Sequence, residues 1–76
     1  MTLREFLTRY GRAGDVAELT GFSVSYITKI ISGDMKRLSL HKRKTFAEAL
    51  SEMSGQEVTL EQFSEMFEET KRSKNE

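Results

Sequence analysis

Cysteine, proline and tryptophan are all absent from this chain, and His41 is its one histidine. Without cysteine there is no disulfide staple and no thiolate metal site. A single histidine cannot by itself assemble a zinc site or a nucleophilic centre. The lack of proline removes the strongest helix breaker and favours an all-helical chain. No apolar run approaches the roughly 20 residues of a membrane span, and no signal peptide opens the sequence, so a soluble, cytoplasmic protein is expected. There is no glycine-rich phosphate loop and no candidate triad, and the acids fall on faces that read as exposed. An enzyme is therefore not expected, nor a metal or other cofactor.

What is present is one small domain's worth of chain: 76 residues, 37% of them hydrophobic, which allows only a small core. The net charge is zero, but the halves differ. Residues 1–45 carry nine Lys/Arg against four acids, and residues 46–76 carry three against eight. A neutral total thus hides a positive half and a negative half, an asymmetry that points to a nucleic-acid face.

The periodicity predicts about five short helices. Thr2 caps the first, which runs through Arg12, with Leu3, Phe6, Leu7 and Tyr10 on one stripe at i, i+3, i+4, i+7. Gly11 and Gly14 flank a turn. A short helix follows from about Asp15 to Thr20, with Val16 and Leu19 on its inner surface and Asp15 in its first turn. Gly21 stops it, because glycine takes a left-handed conformation without a Cβ clash. Ser23 caps the next helix, Val24 to Ser32, which Gly33 closes. Ile27, Ile30 and Ile31 form its apolar side, and Val24, Ser25, Thr28, Lys29 and Ser32 form the other. After the loop "GDMKRLSL", Ser39 caps a helix over Leu40 to Met53, with Leu40, Phe46, Ala47, Ala49, Leu50 and Met53 as its apolar positions. Thr59 with Gln62 forms a capping box for the last helix, staple positions falling at Val58 and Phe63. Leu60, Phe63, Met66 and Phe67 share a face there, and "KRSKNE" reads as a frayed tail. The domain is accordingly set at 1–69 and a disordered tail at 70–76.

Two helices joined by a three- or four-residue turn, with Ala17 early in the first and Gly21 at the turn, outline a helix-turn-helix. A small residue at 17 lets the pair approach closely, and Ile27 and Ile30 anchor the second helix. The series Ala17-x-x-x-Gly21-x-Ser23-x-x-x-Ile27-x-x-Ile30-x-x-Gly33 resembles the Cro/C1-type phage repressors in order and spacing. The stretches "MTLREFLTRYGRAGDVAELTG" and "AEALSEMSGQEVTLEQF" look like the small YdaS-like or Cro-like single-domain regulators of prophages, and the likeness covers about residues 1–67.

That resemblance implies a compact all-α, lambda-repressor-like bundle with a central helix-turn-helix. It also implies a sequence-specific regulator of transcription, a repressor, that binds double-stranded DNA. The base-reading positions fall on Val24, Ser25 and Lys29, with Thr28 beside them. Lysine donates to guanine O6 or N7, hydroxyls donate or accept, and valine meets a thymine methyl. Ser23, Tyr26, Lys36 and Arg37 are the phosphate candidates. Arg12 joins them as a stand-in for the glutamine that the family carries before the first of the two helices, a place held here by Ala13. Lys42, Arg43 and Lys44 add basic charge nearby, and His41 is read as a bystander or a phosphate contact. One short helix reads few base pairs, so a homodimer is expected, weak in solution and completed on a palindromic operator with reading helices about 34–36 Å apart. Phe63, Met66 and Phe67 are its candidate surface. The rival readings are an antitoxin or protein-interaction adaptor that works through its acidic helix, and an excisionase-like architectural DNA binder.

Overall fold

Five helices and no strand make up the computed structural model, which describes residues 1–74: α1 (Leu3–Tyr10), α2 (Ala13–Thr20), α3 (Val24–Ser32), α4 (Leu40–Ser54) and α5 (Leu60–Lys74). The all-α class expected from the sequence is the class observed. None of these helices is long and apolar enough to cross a membrane.

Local signals fix most boundaries. Thr2 and Glu5 form a reciprocal cap for α1: the Glu5 N–H donates to Thr2 Oγ1 at 3.2 Å, and the Thr2 N–H donates to Glu5 Oε1 at 3.1 Å. Leu3, Phe6 and Leu7 are buried along the expected stripe. The helix stops at Tyr10, two residues before Arg12. At Arg12 the chain is already starting α2, because the Asp15 carboxylate accepts the Arg12 N–H at 2.9 Å and draws the N-terminus back to Ala13. Asp15 therefore sits in the first turn of α2 and does not begin it. At the other end Gly21 is left-handed (φ 81°) and its N–H donates to Ala17 O at 2.8 Å.

Helix α3 has the predicted bounds. Ser23 Oγ accepts from the Tyr26 N–H at 3.2 Å, and Gly33 ends the helix at φ 84°. The Gly33 N–H donates to Ile30 O and the Asp34 N–H to Lys29 O, the paired bonds of a Schellman ending. Gly33 also lies against α5: a Cβ there would come within 3.0 Å of Thr70 O and of Lys74 Cβ.

The core gathers Leu3, Phe6 and Leu7 from α1, Val16 from α2, Ile27 and Ile30 from α3, and Phe46, Ala47 and Leu50 from α4 around Phe63 and Phe67 of α5. Rings run through its length. Phe22, in the α2–α3 turn, lies 5.4 Å from Phe46; Phe46 stacks on Phe63 at 5.4 Å, and Phe63 on Phe67 at 6.3 Å. Ala17 and Ile31 pack against the edge of this core.

Five expectations are corrected. Leu19 is 43% exposed and not on an inner surface, because the core-facing side of α2 is centred on Ala13, Val16, Ala17 and Thr20. Leu40 is 67% exposed. It is the first residue of α4, and the core side of the helix is taken one turn before Phe46 by Arg43. Arg43 is accordingly structural: its Nε donates to Leu38 O at 2.9 Å, Nη1 donates to Ser64 Oγ at 3.1 Å, and the guanidinium lies over the Phe67 ring. Phe63 and Phe67 are wholly enclosed, so they are core and not a dimer surface; of that trio only Met66 keeps partial exposure. Finally, α5 continues through residues 70–74, where the sequence reading places a tail. Thr70 is buried, Lys71 Nζ donates to Lys36 O at 2.9 Å, and Lys74 pairs with Asp34. Residues 75 and 76 of the expected tail lie outside the described residues.

Candidate nucleic-acid interface

Two helices and a three-residue turn set the geometry. Gly21 ends α2, Phe22 turns inward onto Phe46, and Ser23 starts α3. Ile27 and Ile30, both fully buried, fix α3 on the core by one face. The opposite face, Val24, Ser25, Thr28 and Lys29, is exposed along its whole length, and Val24 is 52% exposed although apolar. These four residues follow i, i+1, i+4, i+5, so they share one side of the helix. Val24, at the start of α3, thus leaves about half of its apolar side to solvent and lies outside the core cluster of the described residues.

The polar groups on this face differ in what they have free. Thr28 Oγ1 donates to Val24 O at 2.9 Å, which leaves its lone pairs as acceptors. Lys29 enters no ion pair among the described residues. α3 contains no acid. The nearest one in sequence, Asp34, is engaged by Ser32 Oγ at 2.7 Å and by Lys74. The face is therefore basic and open.

The expected phosphate contacts separate into groups. Ser23 is exposed at the start of α3, where its oxygen caps the helix. Tyr26 is half-buried: Phe22 meets it edge-on at 5.2 Å, and the Lys42 ammonium stands 5.1 Å above its ring. Lys42 thus reaches α3 from α4 beside Tyr26, where the sequence names it only among the nearby basic residues. Lys36 and Arg37 are exposed in the α3–α4 loop, which Leu38 anchors from within and Lys71 ties to α5 through Lys36 O. Arg12 is exposed at the start of α2. With Arg4, Thr8 and Ile31 it lines an open groove of about 510 Å³ between α1, the start of α2 and the end of α3. Arg4 was not among the expected site residues; its one sequence signal is its place one helical turn before Thr8, off the apolar stripe.

Around Ala17, Gly21, Ile27 and Ile30 the arrangement matches the spacing argument: Ala17 is half-buried against the core, Gly21 is left-handed, and both isoleucines are buried. His41 is exposed on α4. Among the described residues no group of three or more His, Cys, Asp or Glu is placed to hold a metal ion. No protein-family model matches the chain, and comparisons with curated proteins and with solved structures likewise give no match.

Proposed function

We propose that this protein is a sequence-specific double-stranded DNA-binding regulator that inserts α3 into the major groove, in the manner of a phage or prophage Cro-type repressor. The observation that carries the reading is the outer face of α3: a half-exposed valine, two hydroxyls and a lysine outside the ion pairs of the described residues, on a helix anchored from behind by Ile27 and Ile30. A helix of this kind fits the major groove, and its side chains match the donors, acceptors and methyl groups displayed there. Lys29 donates to guanine, Ser25 and Thr28 bond base edges or phosphates, and Val24 packs on a thymine methyl. Lys36, Arg37, Lys42 and Ser23 flank that face and hold the backbone, which supplies salt-dependent affinity and register.

Two copies on a palindromic site would double the contacts of one short helix. With Phe63 and Phe67 committed to the core, little apolar surface remains on α5 for pairing, so the dimer forms on DNA and not in free solution.

Selection from random duplex oligonucleotides with the purified full chain tests the proposal. An enriched motif, with inverted symmetry if two copies bind, is the expected result. Recovery of an unbiased pool, or an affinity equal for selected and random duplexes, would overturn it.

A further inference from the structure

On a part of the surface to which α3 contributes nothing, α1, α5 and the turn before α5 enclose a groove of about 290 Å³. Its floor is apolar. Phe6 and Tyr10 of α1 pack ring to ring at 4.7 Å, and Val58 and Met66 face them. Its rim on the α5 side is acidic, from Glu57, Glu65 and Glu69, and no lysine or arginine lines it. A cation already sits at one end: the Met1 amino group bonds Glu69 at 2.6 Å. That hydrogen bond, followed by the charges of Glu69, Glu5 and Glu65, raises the pKa of the amino group, so the field at this rim favours positive charge.

We propose that this groove docks a cationic amphipathic helix of a different protein, with its apolar stripe on the partly exposed Tyr10, Val58 and Met66 and its lysines or arginines on the glutamates. Grooves of this type take helices by apolar anchors at i, i+3, i+4 and i+7. A second copy of the chain is a poorer occupant. Twofold pairing through the groove would set the glutamates against their own images, a repulsion that disfavours the complex. Head-to-tail pairing through Lys29, Lys36, Arg37 or Lys42 would draw on residues that the reading of α3 assigns to DNA; this last step rests on that reading.

The test measures binding of the full chain to a synthetic helix with leucines at i, i+3, i+4 and i+7 and lysines between them. A scrambled peptide of the same composition and a version with glutamate for lysine serve as controls, at about 150 mM salt to screen non-specific attraction. The lysine helix is expected to bind saturably, one to one, and to shift the amide signals of Phe6, Tyr10, Val58 and Met66. The scrambled peptide should bind at least tenfold more weakly and the glutamate version not at all. Combining Glu57→Lys with Glu65→Lys should weaken the lysine helix at least tenfold with an unchanged melting curve; both are exposed and outside the ion pairs of the described residues. The corresponding glutamine pair gives a smaller loss in the same direction. No binding of the lysine helix, equal binding of the scrambled peptide, shifts centred elsewhere, or dimerisation of the free chain through this groove would overturn the proposal. None of these readouts involves DNA, so they succeed or fail independently of the α3 reading.

Discussion

The backbone N–H of Leu3 donates to Thr70 Oγ1 at 2.9 Å, in a buried bond between residues 67 positions apart. Thr70 in turn donates its hydroxyl proton to Met66 O at 2.7 Å. One hydroxyl thus satisfies a free N–H in the first turn of α1 and pins it to α5. Thr70→Val keeps the shape and removes the acceptor, leaving a buried N–H unpaired. The expected loss is about 1–3 kcal/mol in urea unfolding, with Thr70→Ser recovering part of it.

The same physics separates two left-handed glycines. Gly21→Ala and Gly33→Ala both force a Cβ into left-handed backbone, at about 1–2 kcal/mol. At Gly21 the new methyl meets open space, whereas at Gly33 it meets Thr70 O and the side chain of Lys74. Gly33→Ala should therefore lower the melting temperature more than Gly21→Ala does. Equal losses would mean that α5 yields at no cost.

Phe63→Ala should come close to unfolding the protein. Truncating a fully enclosed phenylalanine costs about 3–5 kcal/mol, against a total of roughly 4–11 kcal/mol for a chain of this length. Circular dichroism should show a broad, early melt. A Phe63→Ala variant that melts like the parent would place the ring outside the core.

Acid should weaken the start of α1. The bond from the Thr2 backbone N–H, and after it the one with the Thr2 side chain, lowers the Glu5 pKa below its ordinary 4.5. Because the folded value is depressed, this stabilisation is present above the ordinary carboxylate range and disappears as pH falls through the folded value. The melting temperature of the parent should thus drop more steeply below about pH 4.5 than that of Glu5→Gln, the two curves converging at low pH.

Basic residues close in sequence should behave in opposite ways. Lys29→Ala is expected to cost about 1–3 kcal/mol of DNA affinity and to relax preference at one position, while Lys36→Ala and Arg37→Ala weaken all sequences alike and each lower the salt slope by about one. Arg43→Ala should instead reduce thermal stability, because it strands Leu38 O and Ser64 and uncovers Phe67. Uniform weakening by Lys29→Ala would make Lys29 a phosphate contact.

What was legible in the sequence was what is decided locally. Caps at Thr2, Ser23, Ser39 and Thr59, and stops at Gly21 and Gly33, depend on one or two hydrogen bonds or on a backbone angle, and each can be read from a few neighbouring residues. The outer face of α3 was legible for the same reason, once Ile27 and Ile30 were assigned inward. What was not legible depends on which way a helix faces in the assembled molecule. Leu19 and Leu40 are apolar yet point out, and Arg43 is charged yet covers Phe67. Thr70 continues the Phe63–Phe67 stripe by one turn, but as a polar residue it ends a hydrophobic pattern, so the buried end of α5 reads as a tail.

Phe63 and Phe67, the two side chains most completely withdrawn from water, both belong to the last helix. During synthesis the other four helices leave the ribosome before the piece that closes over them. Their inner faces stay wet until α5 arrives, so the four cannot close the core before it has emerged. Cleavage in the segment between α4 and α5 would return it to that unfinished condition, which makes residues 55–59 the point at which a protease would inactivate it most directly.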